Sequence, residues 1–207
     1  MITRRTLLGA ALAPLLGAGL ALPLAAQQAP ISLAELSRYF NSIQTAESRF
    51  TQINGDGSIS TGRLFIHRPG RMRFEYDAPD PNLVLAGGGQ VAIFDHRSNQ
   101  GPTQYPLRRT PLNLILAQNV DLGTDRMVVR HFADDNTTTV VAQDPEHPEY
   151  GNIRLVFTAN PTELRQWVVT DDMGRETTLI LQDFTLGPNL RANLFNISAE
   201  TDRRRRD

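Results

Sequence analysis

Two residue types are missing altogether: the 207-residue sequence holds no cysteine and no lysine. Without cysteine there are no disulfide staples, thiolate-ligated zinc, iron–sulfur centres, thiol nucleophile or S-acylation. The same absence speaks against a lipoprotein anchored through an N-terminal cysteine. Without lysine there is no Walker-type phosphate loop, no Schiff-base lysine and no lysine base. All 21 basic residues are arginine, a bias that a GC-rich genome explains. They stand against 22 acidic residues, for a net charge of −1, so the basic excess of a nucleic-acid binder is absent too. Hydrophobic residues at 40% and charged residues at 21% make an ordinary globular mixture rather than a disordered one. The length suits one domain of roughly 100–250 residues.

Motifs that carry chemistry are equally scarce. The four histidines, His67, His96, His131 and His147, never pair at metal-ligand spacing, and neither HExxH nor GxSxG occurs. Gly87-Gly88-Gly89 precedes a strand pattern instead of a helix start, which makes it a hairpin turn and not a phosphate cradle. Asp134-Asp135 and Asp171-Asp172 sit in turn sequences, and adjacent strand residues point to opposite faces. The sequence therefore points to no enzyme activity, no metal and no cofactor.

What is present begins with an address. Arg4 and Arg5 precede an uncharged apolar run, Leu7 to Ala26, broken by Gly9, Pro14, Gly17, Gly19 and Pro23. Leu24-Ala25-Ala26 offers a small-residue cleavage site, so residues 1–26 read as a signal peptide for export to the periplasm. Thr3-Arg4-Arg5-Thr6-Leu7-Leu8 resembles a twin-arginine signal; an ordinary Sec signal is the alternative. Cleavage there leaves 181 residues with a net charge of −3.

The remainder is mainly β. Ser32 to Thr45 predicts a helix capped by Ser32, with Glu35 as capping-box partner and Leu33, Leu36, Tyr39, Phe40 and Ile43 on one stripe. Alternating runs follow, punctuated by turns. In Arg71 to Tyr76 the apolar Met72, Phe74 and Tyr76 alternate with Arg71, Arg73 and Glu75. Runs at 63–67, 82–86, 90–96, 126–133, 137–143, 152–158, 163–170 and 175–181 bring the count to about ten strands, the spacing of a curved antiparallel sheet or barrel. A second helix opens at Thr110-Pro111-Leu112, with Thr110 as cap, and carries Leu112, Leu114, Ile115, Leu116 and Val120. It is too apolar for a surface helix and must lie on other apolar groups. Arg203 to Arg206 reads as a solvated basic tail, or one that touches anionic lipid. A barrel of more than about eight strands encloses room for a ligand, and helices are its natural lids. This favours carrying something apolar over catalysis.

The most specific stretch is Arg68-Pro69-Gly70-Arg71-Met72-Arg73-Phe74-Glu75-Tyr76-Asp77-Ala78-Pro79. Supporting it are Phe50-Thr51-Gln52, Asp95, Thr110-Pro111-Leu112 and the series Ile153, Phe157, Pro161, Leu164, Trp167, Asp172, Gly174, Thr177. On these residues, 32–186 resemble the periplasmic outer-membrane lipoprotein carrier family, LolA.

The resemblance implies an unclosed antiparallel β-barrel of about 10–11 strands, with lid helices over a hydrophobic cavity. The carrier domain spans 27–202, and 203–207 form the basic tail. It implies a periplasmic chaperone, acting as a monomer, that takes acylated lipoproteins from an inner-membrane ABC-type exporter to an outer-membrane receptor, with no nucleic acid involved. Leu64, Ile66, Met72, Phe74 and Tyr76 would line the acyl-chain cavity; Leu36, Phe40, Leu112, Ile115 and Leu116 would be lid residues. On the residues alone, Met72, Phe74 and Tyr76 suit a closed core equally well. Arg68 matches the family arginine that latches the lid; without the resemblance it is a strand-end cap. Family members usually continue into a Pro/Gly-containing segment and a further strand, whereas here Phe195 to Ala199 is followed almost at once by the arginine run. The alternative function is a lipid- or peptide-binding envelope-stress sensor, a regulatory module of similar fold. A receptor of the LolB kind shares the fold but is anchored through a lipidated cysteine, which this sequence lacks.

Overall fold

The computed structural model describes residues 29–79, 81–98 and 100–206; the signal-peptide segment lies outside them. Eleven strands form one sheet: β1 (Thr45–Ile53), β2 (Ile59–His67), β3 (Arg71–Tyr76), β4 (Leu83–Gly87), β5 (Gln90–Phe94), β6 (Thr103–Pro106), β7 (Val128–Asp134), β8 (Thr137–Gln143), β9 (Asn152–Thr158), β10 (Glu163–Thr170) and β11 (Glu176–Leu186). Their order is β6-β5-β4-β3-β2-β1-β11-β10-β9-β8-β7, every neighbouring pair antiparallel. β6 and β7 are edges that do not pair, so the barrel is unclosed. Between them in sequence, residues 107–127 carry the short helix α2 (Leu112–Leu116).

Local sequence sets the hairpins. Gly88 and Gly89 take φ of 56° and 76° between β4 and β5, the left-handed pair that a two-residue hairpin requires. The alternation in β3 sends Met72 and Phe74 into the concave face and Arg73 to the convex one.

The first helix, α1 (Leu33–Ser42), starts where Ser32 Oγ accepts the Glu35 amide at 3.2 Å. Its end differs from the sequence reading: Thr45 already belongs to β1, because Ile43 is extended and the chain turns into the sheet. The Glu35 carboxylate also does not complete a capping box; it accepts from the Thr162 hydroxyl at 2.6 Å. α2 is likewise shorter than its apolar pattern. Ala117 leaves helical geometry, and Val120, although buried, lies beyond it. Thr110 does not cap α2; its hydroxyl donates to the Leu107 carbonyl at 2.8 Å.

Two strands escaped the sequence reading. β1 reads Thr-Ala-Glu-Ser-Arg-Phe-Thr-Gln-Ile, with too few apolar residues to stand out, yet it bridges β2 and β11 at the centre of the sheet. β6 has four residues and is mostly exposed. The C-terminal arginines also depart from a free tail. Helix α3 (Ile197–Arg204), capped by Asn196, contains Arg203 and Arg204, so the boundary drawn at 202 falls within it. Both arginines bind the buried Glu200 carboxylate, Arg204 at 2.9 Å, and that carboxylate reaches Arg73 on β3 at 3.4 Å.

Apolar burial accordingly occurs on both faces of the sheet. The larger cluster fills the concave side under α1 and α2. The smaller joins Phe65, Leu83, Leu85, Ala92 and Phe94 on the convex face to Phe195, with Leu190, Leu194 and Ile197 packed against it.

Candidate functional site

Every cavity and lid residue expected from the sequence lies in, or packs against, the concave cluster. Leu64, Ile66, Met72 and Phe74 are buried there, and Tyr76 packs on its margin. Cross-strand register sets them in rows. Leu64, Phe74 and Val84 form one row across β2, β3 and β4, and Ile66, Met72 and Ala86 form another. From the lids, Leu36 and Phe40 of α1 and Ile115 and Leu116 of α2 are buried in the same cluster, with Leu112 partly buried beside them. The helices α1 and α2 and the concave sheet are therefore two sides of one apolar contact. Phe40, Ile43, Ile66, Arg68, Met72, Ile115 and Leu116 surround a residual space of about 10 Å³, room for about one water. Met72 and Phe74 are buried core residues, packed among groups from α1, α2 and the sheet.

Aromatic rings extend the lining across the sheet. Phe74 meets Phe50 edge-on at 5.7 Å and Trp167 at 6.0 Å, while Phe50 meets Tyr76 at 5.1 Å. Gly62 stands between Phe50 and Tyr76 in register. A Cβ there would come within 2.7 Å of the Phe50 ring and 2.2 Å of the Glu75 carbonyl. Its bare backbone is what lets the rings meet. Opposite, Phe40 packs on Phe157 at 5.7 Å, bringing α1 down onto β9.

The two tyrosine hydroxyls of this lining are hydrogen-bonded, whereas the buried Arg68 Nε has no partner among the described residues. The Tyr76 hydroxyl donates to Gln52 Oε1 at 2.7 Å, and burial pushes its pKa up to about 12, so it stays a donor. Burial raises Tyr39 to about 12 as well, and its hydroxyl accepts the Leu164 amide at 3.1 Å.

Arg68 occupies the β2–β3 turn and is nearly buried. Its Nη1 donates to the Phe40 carbonyl in the last turn of α1, and its Nη2 to the Ala117 carbonyl that ends α2, at 2.6 Å. Nη2 also reaches Asn41 Oδ1 at 3.3 Å. The Phe40 carbonyl also accepts the Ile43 amide at 3.1 Å, so Arg68 is its second donor, and for α1 the cation sits at the negative end of the helix dipole. Burial lowers the Arg68 pKa from its ordinary value, but a guanidinium remains charged. The neighbouring Gly70 amide donates to the Leu116 carbonyl at 2.9 Å. The turn thus grips α2 twice, through backbone and side chain.

Asn41 and Gly62 were not singled out from sequence. Asn41 exchanges hydrogen bonds with Val120, its amide donating at 2.8 Å and its oxygen accepting at 2.9 Å, and so fastens the segment after α2 to α1. It is one polar residue near a helix end, with no local signal. Gly62 did carry one: glycine within a strand pattern marks a close approach. Among the described residues there is no group of three metal-ligating side chains, and no helix is long and apolar enough to cross a membrane.

Comparison with known proteins gives a consistent picture. The family described as "Outer membrane lipoprotein carrier protein LolA" matches residues 41–198. A protein of Chromohalobacter salexigens named outer-membrane lipoprotein carrier protein is 26% identical over 190 residues, covering 87% of this chain and 89% of that one. One of the same name from Pseudomonas aeruginosa is 28% identical over 173 residues, covering 79% and 82%. Among solved structures, an uncharacterized conserved protein from Thermus thermophilus superposes with a TM-score of 0.50 at 11% identity, covering 79% of this chain and 91% of that one. That likeness concerns the fold alone.

Proposed function

Since the chain belongs to the outer membrane lipoprotein carrier protein LolA family, we propose that it carries acylated lipoproteins through the periplasm, from an inner-membrane ABC-type exporter to an outer-membrane receptor. The observation that carries this reading is the shared apolar contact between the lids and the concave sheet. A palmitoyl-length chain exposes roughly 15 methylenes, worth about 0.8 kcal/mol each, or on the order of 12 kcal/mol. Such chains cannot cross water uncovered.

A carrier must also let go. Here the acyl chains replace α1 and α2 on the surfaces of Leu64, Ile66, Met72, Phe74 and Tyr76. Leu36, Phe40, Leu112, Ile115 and Leu116 re-cover those surfaces when cargo leaves. Cargo affinity is then the difference between two burials, and both directions of transfer stay accessible. Arg68 sets the balance as the latch of the closed form, because its bonds to Phe40 and Ala117 exist only while both helix ends lie against the β2–β3 turn. No catalytic step or cofactor enters this cycle.

Depletion in the native cell tests the proposal. Lipoproteins destined for the outer membrane should accumulate at the inner membrane and return to their place on re-expression. Unchanged lipoprotein distribution would refute it.

A further inference from the structure

Beyond the latch, the lids leave an opening that carries charge. Arg108 and Arg109, just after β6, and Arg126, just before β7, line one pocket of about 340 Å³ at the unpaired edges of the barrel. All three are exposed, and none forms an ion pair among the described residues. The floor beneath them is apolar: Ala142 is buried in the concave cluster and Met127 packs against it. Two acids share the rim, Asp144 and Glu146. Asp144 Oδ1 is taken up by the backbone amides of Glu146 and His147 at 2.8 and 3.2 Å, which fixes it into its own loop. The pocket therefore presents unpaired guanidinium groups beside apolar residues of the concave cluster.

We propose that this rim binds the phosphodiester of a glycerophospholipid whose acyl chains enter the cavity beneath it, a ligand distinct from lipoprotein. Guanidinium groups pair with phosphate oxygens through two parallel hydrogen bonds, which suits a rim better than a single point charge would. The apolar floor selects an anion joined to hydrocarbon. A free anion finds no use for Met127 and Ala142, and an acidic peptide has no chains to place below them.

The test uses the mature protein and vesicles of phosphatidylcholine containing dioleoyl phosphatidylglycerol or dioleoylglycerol, with bound lipid read by native mass spectrometry. Wild-type protein should retain the phosphatidylglycerol, and R108Q/R109Q/R126Q should retain about tenfold less, since charge-assisted hydrogen bonds are lost. R108K/R109K/R126K should recover part of it. Uptake of dioleoylglycerol should not depend on the arginines. Equal phosphatidylglycerol retention by wild type and the glutamine variant would overturn the proposal. So would displacement of the lipid by millimolar inorganic phosphate, which would make the rim a free-phosphate site, or by an acidic peptide lacking acyl chains. Lipoprotein transfer assayed on the same variants separates this outcome from failure of the carrier reading.

Discussion

The Arg68 guanidinium donates to the Ala117 carbonyl at the end of α2 at 2.6 Å across 49 positions of sequence, and the same group donates to the Phe40 carbonyl of α1. One side chain therefore closes both helices. In Arg68→Leu, the two carbonyls lose a charged donor and the closed form should weaken by about 1–3 kcal/mol. The expected result is stronger binding of an environment-sensitive apolar dye and slower release of cargo to a receptor. Wild-type dye binding and release would remove Arg68 from the closing mechanism.

Leu116 is a buried residue of α2. Leu116→Ala should destabilise the empty protein by about 2–5 kcal/mol in denaturant titration, through lost burial and the void left behind. The lid then competes less well, so acyl-chain retention should rise while stability falls. A parallel fall of both would contradict lid–cargo competition.

Gly62 tolerates no side chain. A Cβ 2.2 Å from the Glu75 carbonyl must move backbone, not merely a flexible side chain. Gly62→Val should cost at least about 1–3 kcal/mol as overpacking, visible as a lowered Tm. Its near-UV circular dichroism should change as the Phe50 and Tyr76 rings separate. An unaltered melt would show that the rings repack freely.

The C-terminal helix should respond to acid. Burial raises the Glu200 pKa, but hydrogen bonds from Arg204 and Arg203 and the charge of Arg73 outweigh it and hold the carboxyl below its ordinary value. A depressed folded pKa means stability that is present above the unfolded value near 4.5 and lost as pH falls through the folded one. Protection factors in α3, taken against the intrinsic exchange rate at each pH, should therefore fall below about pH 4.5 in the wild type. Glu200→Gln should flatten that dependence and leave α3 less protected at neutral pH. A pH profile shared by both proteins would place the acid response elsewhere.

Much of the architecture was legible because it is written locally. The alternation of Met72 and Phe74 with Arg71 and Arg73, the glycine pair at 88 and 89, and the Ser32 cap each act over a few residues and need no distant partner. Leu36 and Phe40 of α1 and Ile115 and Leu116 of α2 were legible as buried apolar positions for the same reason. β1 was not, because Glu47, Ser48, Arg49 and Gln52 satisfy no simple period; β2 and β11 hold it as a strand from either side. Thr110 misled for the opposite reason. Its local pattern suits a cap, but the preceding turn at Leu107 captures the hydroxyl first.

The sequence by itself determined that this chain is mainly β, carries an amphipathic and a strongly apolar short helix, and lacks the thiol and amine side chains of cysteine and lysine chemistry. Side-chain periodicity and residue inventory suffice for that. Only the tertiary structure decided that Arg68 bonds the ends of both α1 and α2 and that α3 brings Glu200 over Arg73 on the convex face. Each depends on which carbonyl or carboxylate arrives beside a buried cation. That is set by long-range packing of separate elements, and no local pattern encodes it.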